Sequence, residues 1–219
     1  TTALHAAFEA LGLGEGDRVL TTPFSYIASA NSIRFAGAEP IFADVRPDTY
    51  NLNPAAVEEK IKTNSVDAIL VVHLYGLPAN LDALVDIAEN HDIPLVEDAA
   101  QAHGATIDGN RVGSIGDVGC FSFYPTKNMT TGEGGMITTD NEEIASRAAS
   151  FINHGRSEDA GKYEHVRLGH NFRMTSIAAA LGRAQLERLP SYIEQRRNNA
   201  AALTDRLASI SVTTPTEPE

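Results

Sequence analysis

Residues 68–98 read AILVVHLYGLPANLDALVDIAENHDIPLVED, and the order of patterns in this stretch decides the fold. Ala68 to Val72 is a continuous apolar run, short and rich in β-branched side chains, which suits a buried strand. Asn80 is placed to cap a helix that carries Leu81, Leu84, Ile87 and Ala88 on one face to about Asn90. Pro94 to Glu97 is a second apolar run. Strands without polar alternation have no wet face, so a strand–helix–strand unit of this kind belongs to a mostly parallel sheet covered by helices on both sides.

The same rhythm extends upstream. Leu4, Ala7, Phe8 and Leu11 recur at helical spacing over Thr2 to Leu11, and Gly12 follows as a C-cap. A short strand is expected over Arg18 to Leu20, a helix over Tyr26 to Phe35, and a buried strand over Pro40 to Val45. Asn53 and Pro54 form an N-cap and first-turn pair for a helix through Ile61. Beyond Asp98 the pattern changes: Gly104 to Gly119 holds five glycines and reads as loop, with a short hairpin at Ile107 to Val112. Two more strands, Gly119 to Phe123 and Met136 to Thr139, flank a segment that fits neither helix nor strand. Helices follow over Glu142 to Phe151, Thr175 to Leu189 and Tyr192 to Ala208, with Pro190 expected to mark a kink or domain border. The tail Thr213 to Glu219 is Pro-rich and acidic and is expected to fray.

The 219 residues carry 17 basic and 29 acidic side chains, a net charge of −12. That balance argues against a nucleic-acid footprint, which needs a basic face, but leaves room for a locally positive pocket. The single cysteine, Cys120, cannot close an internal disulfide, which fits a reducing cytoplasm. The longest apolar runs fall far short of the roughly 18 residues of a membrane span, and no signal-peptide pattern is present. The seven histidines lack metal-ligand spacing. Gly12, Gly14 and Gly16 lie between a helix and a strand, the reverse of a dinucleotide loop.

The chemistry concentrates in Val96-Glu97-Asp98-Ala99-Ala100-Gln101-Ala102 and in Phe121 to Asn128, FSFYPTKN, followed by Gly132-Glu133-Gly134-Gly135. In an open α/β sheet, ligands bind beyond the carboxyl ends of the strands. Asp98 lies just past one strand end, and Ser122 and Lys127 lie at or beyond the next. An acid and a lysine at adjacent strand ends suit pyridoxal phosphate, which needs an amine partner, a carboxylate for its ring nitrogen, and hydroxyls with a helix N-terminus for its phosphate.

At these residues the chain resembles the DegT/DnrJ/EryC1/StrS group of pyridoxal-phosphate-dependent aminotransferases, mostly nucleotide-sugar enzymes with the aspartate-aminotransferase fold. The strings that carry the resemblance include TTALHAAFEALGLGEGDRVL, PFSYIASANSIRFAGAEPIFADV, VEDAAQAHGA, CFSFYPTKNMTTGEGGMITTD, NHGR and LGHNFRMTSIAAALGRAQL, in order over Thr1 to Leu189. The resemblance implies that Lys127 is the Schiff-base lysine and proton shuttle, that Asp98 pairs with the pyridine nitrogen, and that Gln101 touches the ring hydroxyl. It further implies that Ser122, Thr1 and Thr2 bind phosphate, that Tyr26 stacks on the ring, and that Asn171 reaches the phosphate of a neighbouring subunit in a homodimer. The expected substrates are an amino donor, glutamate, and a keto sugar carried on a nucleotide. Family members carry segments before the phosphate loop and a small C-terminal domain. Residues 1–189 are therefore expected to be a large domain lacking its N-terminal part, and 190–219 a linking helix leading to an absent small domain.

Each residue also has a plainer reading. Lys127 can be a solvated charge, Asp98 a cap for the Ala-rich turn, Gln101 and Ser122 buried structural groups, and Tyr26 core. A related group of sugar dehydratases has histidine in place of the lysine, and a non-catalytic chain would be expected to lack the Lys or Asp; here both Lys127 and Asp98 are present.

Overall fold

The apolar runs pair side by side in the computed structural model of the chain, which describes residues 1–157 and 163–217. Helix α1 spans Thr2–Leu11, strand β1 Arg18–Thr21, α2 Ala28–Phe35, β2 Glu39–Phe42, α3 Pro54–Thr63 and β3 Ala68–Val72. A 3-10 turn at Leu74–Gly76 leads to α4, Leu81–His91, and β4, Leu95–Asp98. Next come β5, Thr106–Ile107, and β6, Asn110–Arg111, then β7, Val118–Ser122, β8, Gly135–Thr138, α5, Glu142–Ile152, and α6, Ser176–Leu207. Six strands form one sheet in the order β2-β1-β3-β4-β7-β8. All its neighbours are parallel except β7 and β8.

Strand β3 shows why the pattern was readable. All five of its residues are buried. Ala68 and Leu70 enter a core with Leu4 and Phe8 of α1, Ile33 of α2 and Ile144 of α5. Ile69 and Val71 enter a second core with Val57 of α3 and Leu81 and Leu84 of α4. Side chains alternate between the faces, and both faces are dry. The small hairpin β5–β6 turns at Asp108 and Gly109, whose φ angles of 48° and 83° match the two left-handed positions of a type I′ turn.

Two expectations need correction. The strand over Pro40 to Val45 is shorter and lies at the sheet edge, with Glu39 and Phe42 exposed. An edge position is where a proline such as Pro40 is tolerated. The chain then turns away, and Val45 bridges Leu52. Pro190 neither ends a helix nor separates two: α6 runs through it. Leu189 and the partly buried Ile193 both pack in a cluster with Phe123 and Met129, so tertiary contacts hold the helix on either side of the missing N–H. In the tail, which is almost wholly exposed over residues 211–217, Arg197 donates to both carboxylate oxygens of Glu217 at 2.9 and 2.7 Å, a solvent-exposed pair that adds little stability. Pro218 and Glu219 lie outside the described residues.

Candidate active site

Parallel strands β4 and β7 place Asp98 beside Cys120, so the end of β4 and the loop after β7 open on one corner of the sheet. Asp98 is 6% exposed. Its Oδ2 accepts from Ser29 Oγ at 2.9 Å, and its Oδ1 accepts from the Ala100 N–H at 3.2 Å. The turn-capping reading is thus half of its role. No ion pair reaches this buried carboxylate among the described residues. A buried, hydrogen-bonded but unneutralised carboxylate is costly unless a cationic or N–H group completes it. Across the ladder, burial pushes the Cys120 thiol far above its usual range, with Asp98 adding to the shift, so the sulfur stays protonated.

Lys127 is half-buried in a loop whose neck is closed at Phe123: the Thr131 N–H and the Thr130 hydroxyl both donate to the Phe123 carbonyl, at 3.0 and 2.8 Å. The Lys127 N–H donates to Tyr124 O at 3.0 Å. Its amine has no carboxylate partner among the described residues. Ser122 ends β7 opposite Gly135 of β8. A Cβ built on Gly135 would lie 3.3 Å from the Ala3 Cβ, so the first turn of α1 sits over this strand pair. Thr1 is the N-cap of α1, yet its side chain makes no capping bond. Thr1 and Thr2 are exposed, and the first N–H groups of the helix have no intrahelical acceptor. An open helix N-terminus next to hydroxyls is an anion site.

Tyr26 is 74% exposed and precedes α2, so it is not core. Its carbonyl accepts from the Ser29 N–H at 3.1 Å, on the same turn that presents Ser29 to Asp98. Gln101 Oε1 accepts the Tyr75 N–H at 2.6 Å. Asn171 stands apart. It is exposed and bridges Asn153, while its neighbours His170 and Phe172 bond the carbonyls of Phe151 and Ile152 at 2.7 and 2.9 Å. No hydrogen bond joins it to the other candidate residues among those described.

Several groups escaped the sequence reading. Ser29 is one. Glu97, fully buried on β4, is another: it accepts from His73 Nε2 at 2.9 Å and from the Gly113, Ile115 and Gly116 N–H groups at 2.6, 2.8 and 2.7 Å. The only advance signal was an acid inside an otherwise apolar strand. Burial opposes charge on Glu97, but these bonds outweigh it and hold the carboxyl below its ordinary value. His103 is buried between Phe121 and Phe123, at ring distances of 5.4 and 5.9 Å, and neither ring nitrogen has a hydrogen-bond partner among the described residues. Burial, with a smaller contribution from the Lys127 charge, pulls its pKa down to about 4, so the ring is neutral. One concavity borders the start of α1, where Thr2 and Ala3 line it. It is a groove of about 1070 Å³ along the open side of β8, lined by residues including Met136, Ile137, Ala148 and Phe172.

The residues at the Asp98 corner fit pyridoxal phosphate. The unneutralised buried carboxylate matches a protonated ring nitrogen, the unpaired amine of Lys127 matches the aldehyde, and the open N-terminus of α1 with Thr1, Thr2 and Ser122 matches the phosphate.

Comparison with known proteins agrees. The chain is 42% identical over 200 residues to a GDP-perosamine synthase of Escherichia coli O157:H7, a match that covers 91% of this chain and 54% of the relative. It is 39% identical over 219 residues to a UDP-N-acetyl-3-dehydro-alpha-D-glucosamine 3-aminotransferase of Acidithiobacillus ferrooxidans, covering 100% of this chain and 58% of the relative. An aminotransferase structure from Psychrobacter cryohalolentis superposes with a TM-score of 0.92 at 38% identity, over 98% of this chain and 57% of that one. The chain spans about half the length of the curated relatives it matches. Because the family profile matches residues 1–219 throughout, the chain belongs to the DegT/DnrJ/EryC1/StrS aminotransferase family, whose cofactor is pyridoxal phosphate.

Proposed function

We propose that this chain carries the cofactor-binding part of an aminotransferase that moves an amino group from glutamate to a keto sugar linked to a nucleotide. The observation that carries the reading is the buried Asp98 carboxylate with no cation among the described residues, beside the strand whose following loop carries Lys127, an amine with no acid among them. The cofactor supplies an electron sink for bond cleavage next to the transferred nitrogen. Asp98 would keep the ring nitrogen protonated, with Ser29 and the Ala100 N–H fixing the carboxylate's orientation. Lys127 would hold the cofactor, and its amine would carry the proton between the two carbons that flank the transferred nitrogen. Gln101 would donate to the ring hydroxyl, Tyr26 would stack on the ring, and Thr1, Thr2 and Ser122 would bind the phosphate. Relatives named for GDP- and UDP-linked sugars support a nucleotide-sugar acceptor.

We further propose that residues 1–189 are the large domain, that 190–219 lead into a small C-terminal domain in a chain of the relatives' length, and that the working unit is a cytoplasmic homodimer. The exposed Asn171, held out from the body by its flanking backbone bonds, is suited to reach a second subunit's phosphate site. No helix among the described residues is long and apolar enough to cross a membrane. The test is direct. The protein should show visible absorbance that borohydride removes, and a keto-sugar nucleotide should be aminated with consumption of glutamate. A colourless protein that retains no pyridoxyl group after reduction would refute the reading.

A further inference from the structure

Two tyrosines in the left-handed region flank one buried asparagine. Tyr50 has φ 59°, and Tyr75, in the 3-10 turn after β3, has φ 57°. A bulky residue in this region is held there at a cost of about 1–3 kcal/mol, so the surroundings must enforce it. Asn51, next to Tyr50, is 2% exposed. Its amide is fully used on the turn that contains Tyr75. Oδ1 accepts the Leu74 N–H at 2.9 Å, and Nδ2 donates to the carbonyls of Leu77 and Pro78 at 3.0 and 3.2 Å. The far side of the turn is tethered by the Ala79 N–H, which donates to His73 Nδ1 at 3.1 Å.

The clamped turn is fitted around Gln101. The Tyr75 N–H donates to Gln101 Oε1 at 2.6 Å. At Gly76, φ is 88°, and an added Cβ would lie 2.9 Å from the Gln101 carbonyl oxygen, so only glycine allows this approach. With Oε1 occupied by a donor, the amide orientation is settled: Gln101 is left with its NH₂, which makes no hydrogen bond among the described residues.

We propose that Asn51 is a positioning residue that, through the Leu74–Pro78 turn and the Tyr75 N–H, makes Gln101 present a hydrogen-bond donor to the cofactor's ring oxygen. This rests on the reading above that Gln101 meets that oxygen. Neither Asn51 nor Gly76 needs to touch the cofactor. A donor at the ring oxygen favours its deprotonated form. Loss of the donor therefore raises the pH at which the bound cofactor's visible band titrates.

The test is a double-mutant cycle in the full-length protein loaded with pyridoxal phosphate, read by spectrophotometric pH titration and cofactor affinity. Gln101→Leu should raise the transition pH and weaken cofactor binding about three- to tenfold, the size of one hydrogen bond. Asn51→Ala should shift both in the same direction, and should add nothing in the Gln101→Leu background. Gly76→Ala provides an independent route to the same displacement, and decides the matter if Asn51→Ala does not fold. Equal effects of the turn variant in the wild-type and Gln101→Leu backgrounds would overturn the proposal, as would an unchanged transition in a folded Asn51→Ala or Gly76→Ala protein. A wild type that takes up no cofactor would overturn the underlying cofactor reading, and is distinguished from these outcomes by the absence of any band to titrate.

Discussion

Glu97→Gln should destabilise the protein far more than a change of one atom suggests. The Glu97 carboxylate has no solvent exposure and receives four donors, two at each oxygen: His73 Nε2 and the Gly113 N–H at Oε2, the Ile115 and Gly116 N–H groups at Oε1. Glutamine has one acceptor and one NH₂, so whichever way the amide is turned, two donors face a donor. His73 cannot relieve this by moving its proton. Its Nδ1 already accepts the Ala79 N–H, so shifting the proton to Nδ1 creates a new donor–donor clash in place of the old one. Each buried group left without a partner costs about 1–3 kcal/mol, giving about 2–6 kcal/mol in all. For a chain of this size that lowers Tm by about 4–24 °C.

The pH dependence is a second reading of the same carboxylate. Its folded pKa lies below the ordinary value because the bonds from His73, Gly113 and Gly116 overcome burial. A depressed carboxyl stabilises the fold above its unfolded pKa, and that contribution is lost as pH falls through the folded value. Urea unfolding of wild type and Glu97→Gln between neutral pH and the low-pKa range should therefore show the gap narrowing as acid is added. A loss below about 1 kcal/mol at neutral pH, or a gap that does not depend on pH, would refute the account of the Glu97 network.

Three further outcomes follow from the proposed site. Lys127→Ala should retain no pyridoxyl group after borohydride reduction, checked by mass spectrometry of the reduced protein. Asp98→Asn should fold, because Ser29 and Ala100 can still bond an amide, yet slow amine transfer by orders of magnitude at saturating pyridoxal phosphate. A rate within a few-fold of wild type would make Asp98 structural. Asn171→Ala should weaken cofactor binding only where two chains associate, measured by titration alongside light scattering. A tightly loading monomer would exclude the shared site.

What could be read from the sequence and what could not divide along a physical line. Strand β3 and helix α4 were legible because burial on both faces, or on one, is written in side-chain hydrophobicity. The edge position of β2 was not, because PIFADV is as apolar as a central strand and only the absence of a neighbour exposes it. Helix α6 passes Pro190 for a similar reason: the contacts of Leu189 and Ile193 outweigh a local breaker. The candidate site splits in the same way. Asp98 and Lys127 stood out by residue type and place, and Gln101 by resemblance. The groups that support them were silent: Ser29 reaches Asp98 from 69 residues away in sequence, and others act through main-chain amides. Glu97 is held by three N–H groups of a loop, and Gln101 by the N–H of a tyrosine whose side chain faces solvent. An N–H is present at every residue but proline, so its direction is fixed only once the backbone is folded. Substitutions at Asn51 or Gly76, which set that direction, should therefore reach the site without altering any residue that faces the ligand.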